Sequence, residues 1–273
     1  METIKGFVKS NLRQLCEIGI LVVAAALPHI LNFNELLKEY YIAHPISPEN
    51  FHWYLLNHDD LIASFVCMIV FLIPIRKWNQ NYTMNHKPVY HDYPYFWYWI
   101  SAKILGINKC NLILVPIKMQ FKLIINDTFL EYPFDGNDCP VIENEVDPSV
   151  SKWNTNESGR EINLILEDTY QIALNQLPRE KKNLFTIKVS RYSNEYTGRH
   201  YSVKFVDAAY KVVKDLTTGV TVNIYATTNP QNTYYLAKRV FTQGSRGEIT
   251  HLYVFQQNHT GSRSFQHKGY RIY

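Results

Sequence analysis

The chain has 273 residues, enough for one large domain or two modest ones. Lys and Arg outnumber Asp and Glu by 28 to 24, a net +4 that is too weak an imbalance to argue for duplex nucleic acid. Eleven glycines are few for this length, which counts against a fold built on a glycine-rich phosphate loop. The four cysteines (Cys16, Cys67, Cys110 and Cys139) form no CxxC and no zinc-finger spacing. They read as free, mostly buried thiols of a reducing compartment, and no metal site or cofactor is expected.

Two uncharged runs stand near the start, "IGILVVAAALPHILNFN" between Glu17 and Glu35 and "LIASFVCMIVFLIPI" between Asp60 and Arg76. Both sit near the lower limit of about 17 residues for a membrane span. Two buried helices of a soluble protein are the alternative, and a cleaved signal peptide would leave the second run unexplained. Charge placement favours the membrane. Lys5, Lys9 and Arg13 precede the first run, and Arg76, Lys77 and Lys87 follow the second. The loop between carries Glu35, Glu39, Glu49, Asp59 and Asp60 against Lys38 alone. Positive residues outside both runs place both termini in the cytoplasm, with the spans in the cell inner membrane. "FHWYLL" (Phe51 to Leu56) sets Trp53 and Tyr54 near an interface. A helix of about 16 residues covers about 24 Å, short of a hydrocarbon core of about 30 Å. That mismatch, with Pro28 and Pro74 in the runs, suits spans that assemble with copies of themselves, a simple anchor being the alternative.

After this two-span region (1–78) comes an aromatic connector (79–108), in which Tyr93, Phe96, Trp97 and Ile100 fall at helical spacing. The remainder, 109–273, reads as a cytosolic α/β domain. Asn111 to Ile125 is β-rich, a strand or bent hairpin broken at Pro116. Asn126 to Arg160 is a long polar loop with short strands. Strands follow at Glu161 to Glu167, Leu184 to Arg191, Val222 to Ala226 and Ile249 to Gln257. A helix begins after Ser202, ends before Gly219, and sets Val206, Ala209, Tyr210 and Val213 on one face; a second starts at Pro230. Short apolar strands alternating with helices predict an open, Rossmann-like, mostly parallel sheet, with an antiparallel edge supplied by the strands before Leu184.

In such a sheet, ligands bind outside the carboxyl ends of the strands. The exit "ATTNP" leads from a strand into a helix, with Asn229 as N-cap and Pro230 at the first helical position. The free N–H groups of Gln231, Asn232 and Thr233 then form an anion site, flanked by Thr227 and Thr228. The other exits bring Asp168, Thr169 and Tyr170; Ser190, Arg191 and Arg199; and Gln256, Gln257 and Arg263. Arginines for phosphate, tyrosine for stacking and amides for base edges make these residues a candidate nucleotide pocket. Each also reads as ordinary loop surface taken singly. No GxSxG, HExxH, P-loop or GxGxxG occurs, so no catalytic residue is named. An acid/base pair of Asp168 with His259 would need the fold to bring them together.

The order of parts resembles the two-transmembrane effectors of bacterial antiphage signalling of CBASS and Thoeris type, and "ATTNP" is similar to the ligand-contacting loop of CARF-like Rossmannoid sensors. The resemblance implies a non-enzymatic effector whose cytosolic domain binds a cyclic oligonucleotide or an NAD-derived nucleotide, oligomerises, and breaches the inner membrane. The alternatives are a membrane-anchored enzyme acting on a nucleotide or phosphoester, and an immunity-type protein binding a protein partner.

Overall fold

The structure is a computed structural model and describes residues 2–32, 35, 59–134, 145, 147–155, 159–192, 200–243, 249–258, 261 and 263–273. Most of the acidic loop, the Phe51 to Leu56 stretch, Cys139, Arg199 and His259 lie outside the described residues, as does part of the polar stretch 126–160. Two compact units result: Met1–Lys87 with Trp99–Lys109, and Pro88–Tyr98 with Cys110–Tyr273.

The first unit opens with helix α1 (Glu2–Ser10), followed by α2 (Leu12–Ile30) and α3 (Asp59–Asn79). On α2 the buried residues are Gln14, Glu17, Leu21, Ala24 and Pro28, spaced alternately by three and four, which is one continuous helical seam. Leu21 meets Ile75 of α3 and Leu105 of the connector in a small core flanked by Ile18, Met68, Leu72 and Ile100. The opposite surfaces expose Val22, Val23 and Ile30 on α2 and Leu61, Phe65, Val66, Val70 and Ile73 on α3. So large an apolar surface is unusual against water and ordinary against lipid. These are the two membrane spans. They are 19 and 21 residues long, about 29 and 32 Å at 1.5 Å per residue. The sequence reading stopped each run at its first charge, whereas the helices run on through Glu17 and through Arg76 and Lys77. Cys16, expected to be buried, is exposed on α2.

The second unit is built on a six-stranded sheet. Its strands are β1 (Ser149–Trp153), β2 (Glu161–Glu167), β3 (Phe185–Ser190), β4 (Val220–Ala226), β5 (Ile249–Phe255) and β6 (Tyr270–Arg271), in the spatial order β1-β3-β2-β4-β5-β6. The four central strands are parallel, and β1 and β6 pair antiparallel at the two edges. The expected mostly parallel α/β sheet is thus observed, with its antiparallel edge before Leu184. On one face Ile162, Leu164 and Leu166 lie in register with Val222, Ile224 and Ala226, all buried, as short unbroken apolar strands require.

Two local expectations fail. Asn111 to Ile125 is not β-rich: Ile117–Ile125 forms a helix behind Pro116 (labelled α5, after a short α4 at Tyr95–Trp99) and buries Met119, Phe121, Leu123 and Ile124. A short apolar run fits a buried helix as well as a strand, and Pro116 here begins the element rather than interrupting it. In the connector, α4 buries Tyr98, whose hydroxyl donates to His91 O at 3.0 Å, and leaves Phe96 65% exposed. The expected face of Tyr93, Phe96, Trp97 and Ile100 is broken where α4 gives way to π-type turns at Ile100–Ile104.

Helix α6 (Val203–Lys214) follows the reading closely. The Ser202 side chain accepts from Phe205 N at 3.0 Å, and Phe205, Val206, Ala209 and Val213 are buried. Tyr210 is only half-buried, and Gly219 (φ +83°) lies in the turn that leads into β4. Replacing Ser202 by Ala removes this cap at a cost of about 1 kcal/mol. Full-length Ser202→Ala in detergent should melt about 2–4 °C lower, measured by differential scanning fluorimetry, and Ser202→Gly less so.

Candidate functional site at the carboxyl ends of the parallel strands

Strand β2 lies between β3 and β4. The chain leaves β2 towards β3 on one side and leaves β4 towards β5 on the other, so the two exits part in opposite directions. This is the topological switch point, where open α/β sheets leave a crevice. Because β2, β3, β4 and β5 are mutually parallel, their exits share one edge of the sheet.

At its centre stands Asp168, the first residue after β2, with a fully buried side chain. Its Oδ1 accepts from Arg191 Nε and pairs with Arg191 Nη2, just beyond the end of β3. Its Oδ2 accepts from Asn229 N and Asn232 Nδ2, both at 2.9 Å, at the end of β4. Three strand exits are thus tied by one carboxylate. Burial pushes the Asp168 carboxyl above its ordinary value, while Arg191 and the two asparagine donors oppose that push.

Around this pair the asparagines are held by further bonds. Asn229 caps α7 (Pro230–Tyr235), its Oδ1 accepting from Asn232 N at 2.9 Å, and Thr233 N donates to Asn229 O at 2.9 Å. The α7 start expected to present free N–H groups to an anion therefore has those of Asn232 and Thr233 already bonded. Asp168 is the anion beside it. Thr228 and Thr233 pair through their hydroxyls at 2.7 Å. Asn229 Nδ2 and Asn232 Nδ2 both donate to His200 O, at 2.9 and 3.2 Å, and both His200 ring nitrogens lie within 3.0 Å of Arg191 Nη1. Sequence reasoning passed over His200; its place two residues before the Ser202 cap was the available signal.

An outer layer is more open. Thr227 Oγ1 donates to Tyr170 O at 2.8 Å, and Thr169 Oγ1 to Thr227 O at 2.5 Å. The Tyr170 side chain stays accessible, and Arg263 lies over its ring at 4.9 Å. Ser190 turns instead to Glu167, its hydroxyl donating at 2.6 Å. Gln256 Oε1 accepts from Lys118 N at 3.5 Å, whereas Gln257 Nε2 is buried with no partner among the described residues. Glu167 and Asp168 serve different clusters, as adjacent residues at a strand end should. Among the described residues no group of three or more His, Cys, Asp and Glu is placed to hold a metal ion. Two cavities lie elsewhere in this unit. One, of about 600 Å³, is lined by Val150, Ile187 and Val212, and the other, of about 440 Å³, by Asn223, Tyr253 and Lys181; no candidate residue lines either.

Together these features define a two-span membrane protein carrying a Rossmann-like α/β domain with a polar centre at its switch point. The chain belongs to the SMODS- and Ubiquitin system-associated 2TM effector domain family (SUa-2TM), whose model matches residues 3–273. Among curated proteins none matches. Among solved structures, the SAVED/CARF-domain receptor Cap4 of Acinetobacter baumannii, determined with the cyclic trinucleotide 3'3'3'-cAAA, is similar at 8% identity and a TM-score of 0.38. The match covers 75% of this chain and 43% of that one, so this chain spans less than half of the receptor's length.

Removing the Asp168 carboxylate takes away one side of a buried ion pair and the acceptor of Asn229 N and Asn232 Nδ2. Asp168→Ala is expected to destabilise the protein by about 3–5 kcal/mol, whereas Tyr170→Ala and Arg263→Glu should stay within about 0.5 kcal/mol. Thermal melts of the full-length protein in detergent measure the difference.

Proposed function

We propose that this membrane effector is switched by a nucleotide second messenger bound at the carboxyl-end rim, and that the bound form oligomerises and breaches the inner membrane. The observation that carries the reading is the convergence of Asp168, Arg191, Asn229 and Asn232 at the switch point, with Tyr170 and Arg263 accessible beside them. In the closed state Asp168 is the internal anion against Arg191. A phosphate of a cyclic oligonucleotide or NAD-derived nucleotide competes for that guanidinium, while Tyr170 stacks a base. A ligand shifts the assembly only as far as it binds the assembled form better than the resting one. We read the protein as non-enzymatic, since both Asp168 oxygens are already engaged by Arg191 and the asparagine donors. Basic residues at the outer ends of the two helices (Lys9 and Arg13, Arg76 and Lys77) support a reading with both termini on the cytoplasmic side.

The test uses purified full-length protein in dye-loaded vesicles of phosphatidylethanolamine and phosphatidylglycerol. Cyclic di- and trinucleotides and NAD-derived nucleotides are added singly. At least one should raise the melting temperature, shift the particle to larger size and release dye. Tyr170→Ala with Arg263→Glu should then weaken that response about tenfold or more, the loss of one stacking contact and one phosphate contact. If every nucleotide leaves melting, size and leakage unchanged, the reading is wrong.

A further inference from the structure

The carbonyls at the end of a helical segment need donors from elsewhere. After the π-type turns Ile100–Ile104 they find them on α3. Arg76 Nη1 donates to Lys103 O at 2.7 Å and Ile104 O at 2.8 Å, and Asn79 Nδ2 donates to Leu105 O at 3.0 Å. Gly106 permits this approach: its φ is +75°, and a Cβ there would meet Arg76 Cβ and Cγ at 3.0 Å.

Asn79 is fully buried and reaches further. Its Nδ2 also donates to Glu17 Oε2 at 2.7 Å, and its Oδ1 accepts from Arg13 Nη2 at 2.7 Å. Arg13 Nε in turn donates to Glu17 Oε1 at 3.0 Å, which closes a ring of three side chains. The Arg13 guanidinium is also held over the rings of Trp78 and Tyr82, at 4.9 and 4.2 Å. Glu17 is 4% exposed and lies on the seam that α2 turns towards α3. Near it on the same seam, the buried Gln14 Oε1 has no partner among the described residues.

Ionisable groups at spans are costly and are kept where they do something. Their best-attested contribution when buried is to fix one arrangement rather than to add stability. We propose that Asn79 is a coupling residue, which ties α2, α3 and the connector into one joint that keeps the spans in their sealed arrangement. Only a primary amide meets this demand, donating to a carbonyl and a carboxylate while accepting from a guanidinium. An aspartate of the same shape has no N–H and sets a second carboxylate against Glu17. From Leu105 the chain runs on into the α/β domain. Asn79, and through it Glu17 and Arg13, thus holds the near end of that segment to both spans. The proposal rests on the membrane-disrupting reading of the effector, but not on the nature of its trigger.

The test is ligand-free leakage. Full-length Asn79→Asp and Asn79→Leu are reconstituted into dye-loaded phosphatidylethanolamine–phosphatidylglycerol vesicles with no nucleotide added. Both should leak faster than the unaltered protein by about tenfold, the effect of losing one or two net hydrogen bonds. Met68→Ala, which removes apolar packing beside the seam but none of these hydrogen bonds, should stay much closer to it. Should Asn79→Asp fail to insert, Asn79→Ser, which loses the same reach, takes its place. Vesicles that stay sealed with the Asn79 variants overturn the proposal, and so does equal leakage from Met68→Ala, which would mark general loosening. Because no nucleotide is present, this outcome is independent of whether any nucleotide binds the rim.

Discussion

The α/β unit depends on one buried carboxylate being shared among three strand exits. Asp168 holds Arg191 beyond β3 and the Asn229 and Asn232 donors beyond β4. Without it Arg191 would lose its buried ion-pair partner, and the two asparagine donors would lose their acceptor. Attraction between Asp168 and Arg191 must offset the desolvation of both groups, and it does so only because the asparagine donors complete the set around the carboxylate. On the proposed reading, this closed polar centre is the resting state, and its donors are those offered to a phosphate.

A second polar centre, in the membrane unit, follows the same logic. Asn79 joins Glu17 and Arg13 of α2 to the Leu105 carbonyl of the connector, again one buried residue bridging several elements. Elsewhere the spans are held by apolar packing along the Leu21 seam, which in lipid gives little preference among neighbouring registers. Directional bonds at the ends of the spans supply that preference.

Much of this was legible in the sequence, for identifiable reasons. The parallel strands announced themselves as short apolar runs, and the Asn229–Pro230 cap is a local signal that the structure reproduces atom by atom. The gathering of the exits followed from parallel topology alone. Long-range partnership was not legible. Asp168 and Arg191 meet only because β2 and β3 pair in a particular register, and Glu17 finds Asn79 across 62 positions of chain. The helix ends were not legible either: charges bound the apolar runs, whereas Glu17, Arg76 and Lys77 are carried within the helices. The helix at Ile117–Ile125 was missed because a continuous apolar stretch has no period to read.

The most direct measurement is hydrogen–deuterium exchange on the full-length protein in detergent, with and without the nucleotide that gives the largest thermal shift. Protection should change in the peptides spanning 167–170, 190–192 and 227–233, where a bound nucleotide would rearrange the Asp168 centre. Protection confined to the cavity lined by Asn223, Tyr253 and Lys181, with those peptides unchanged, would contradict it.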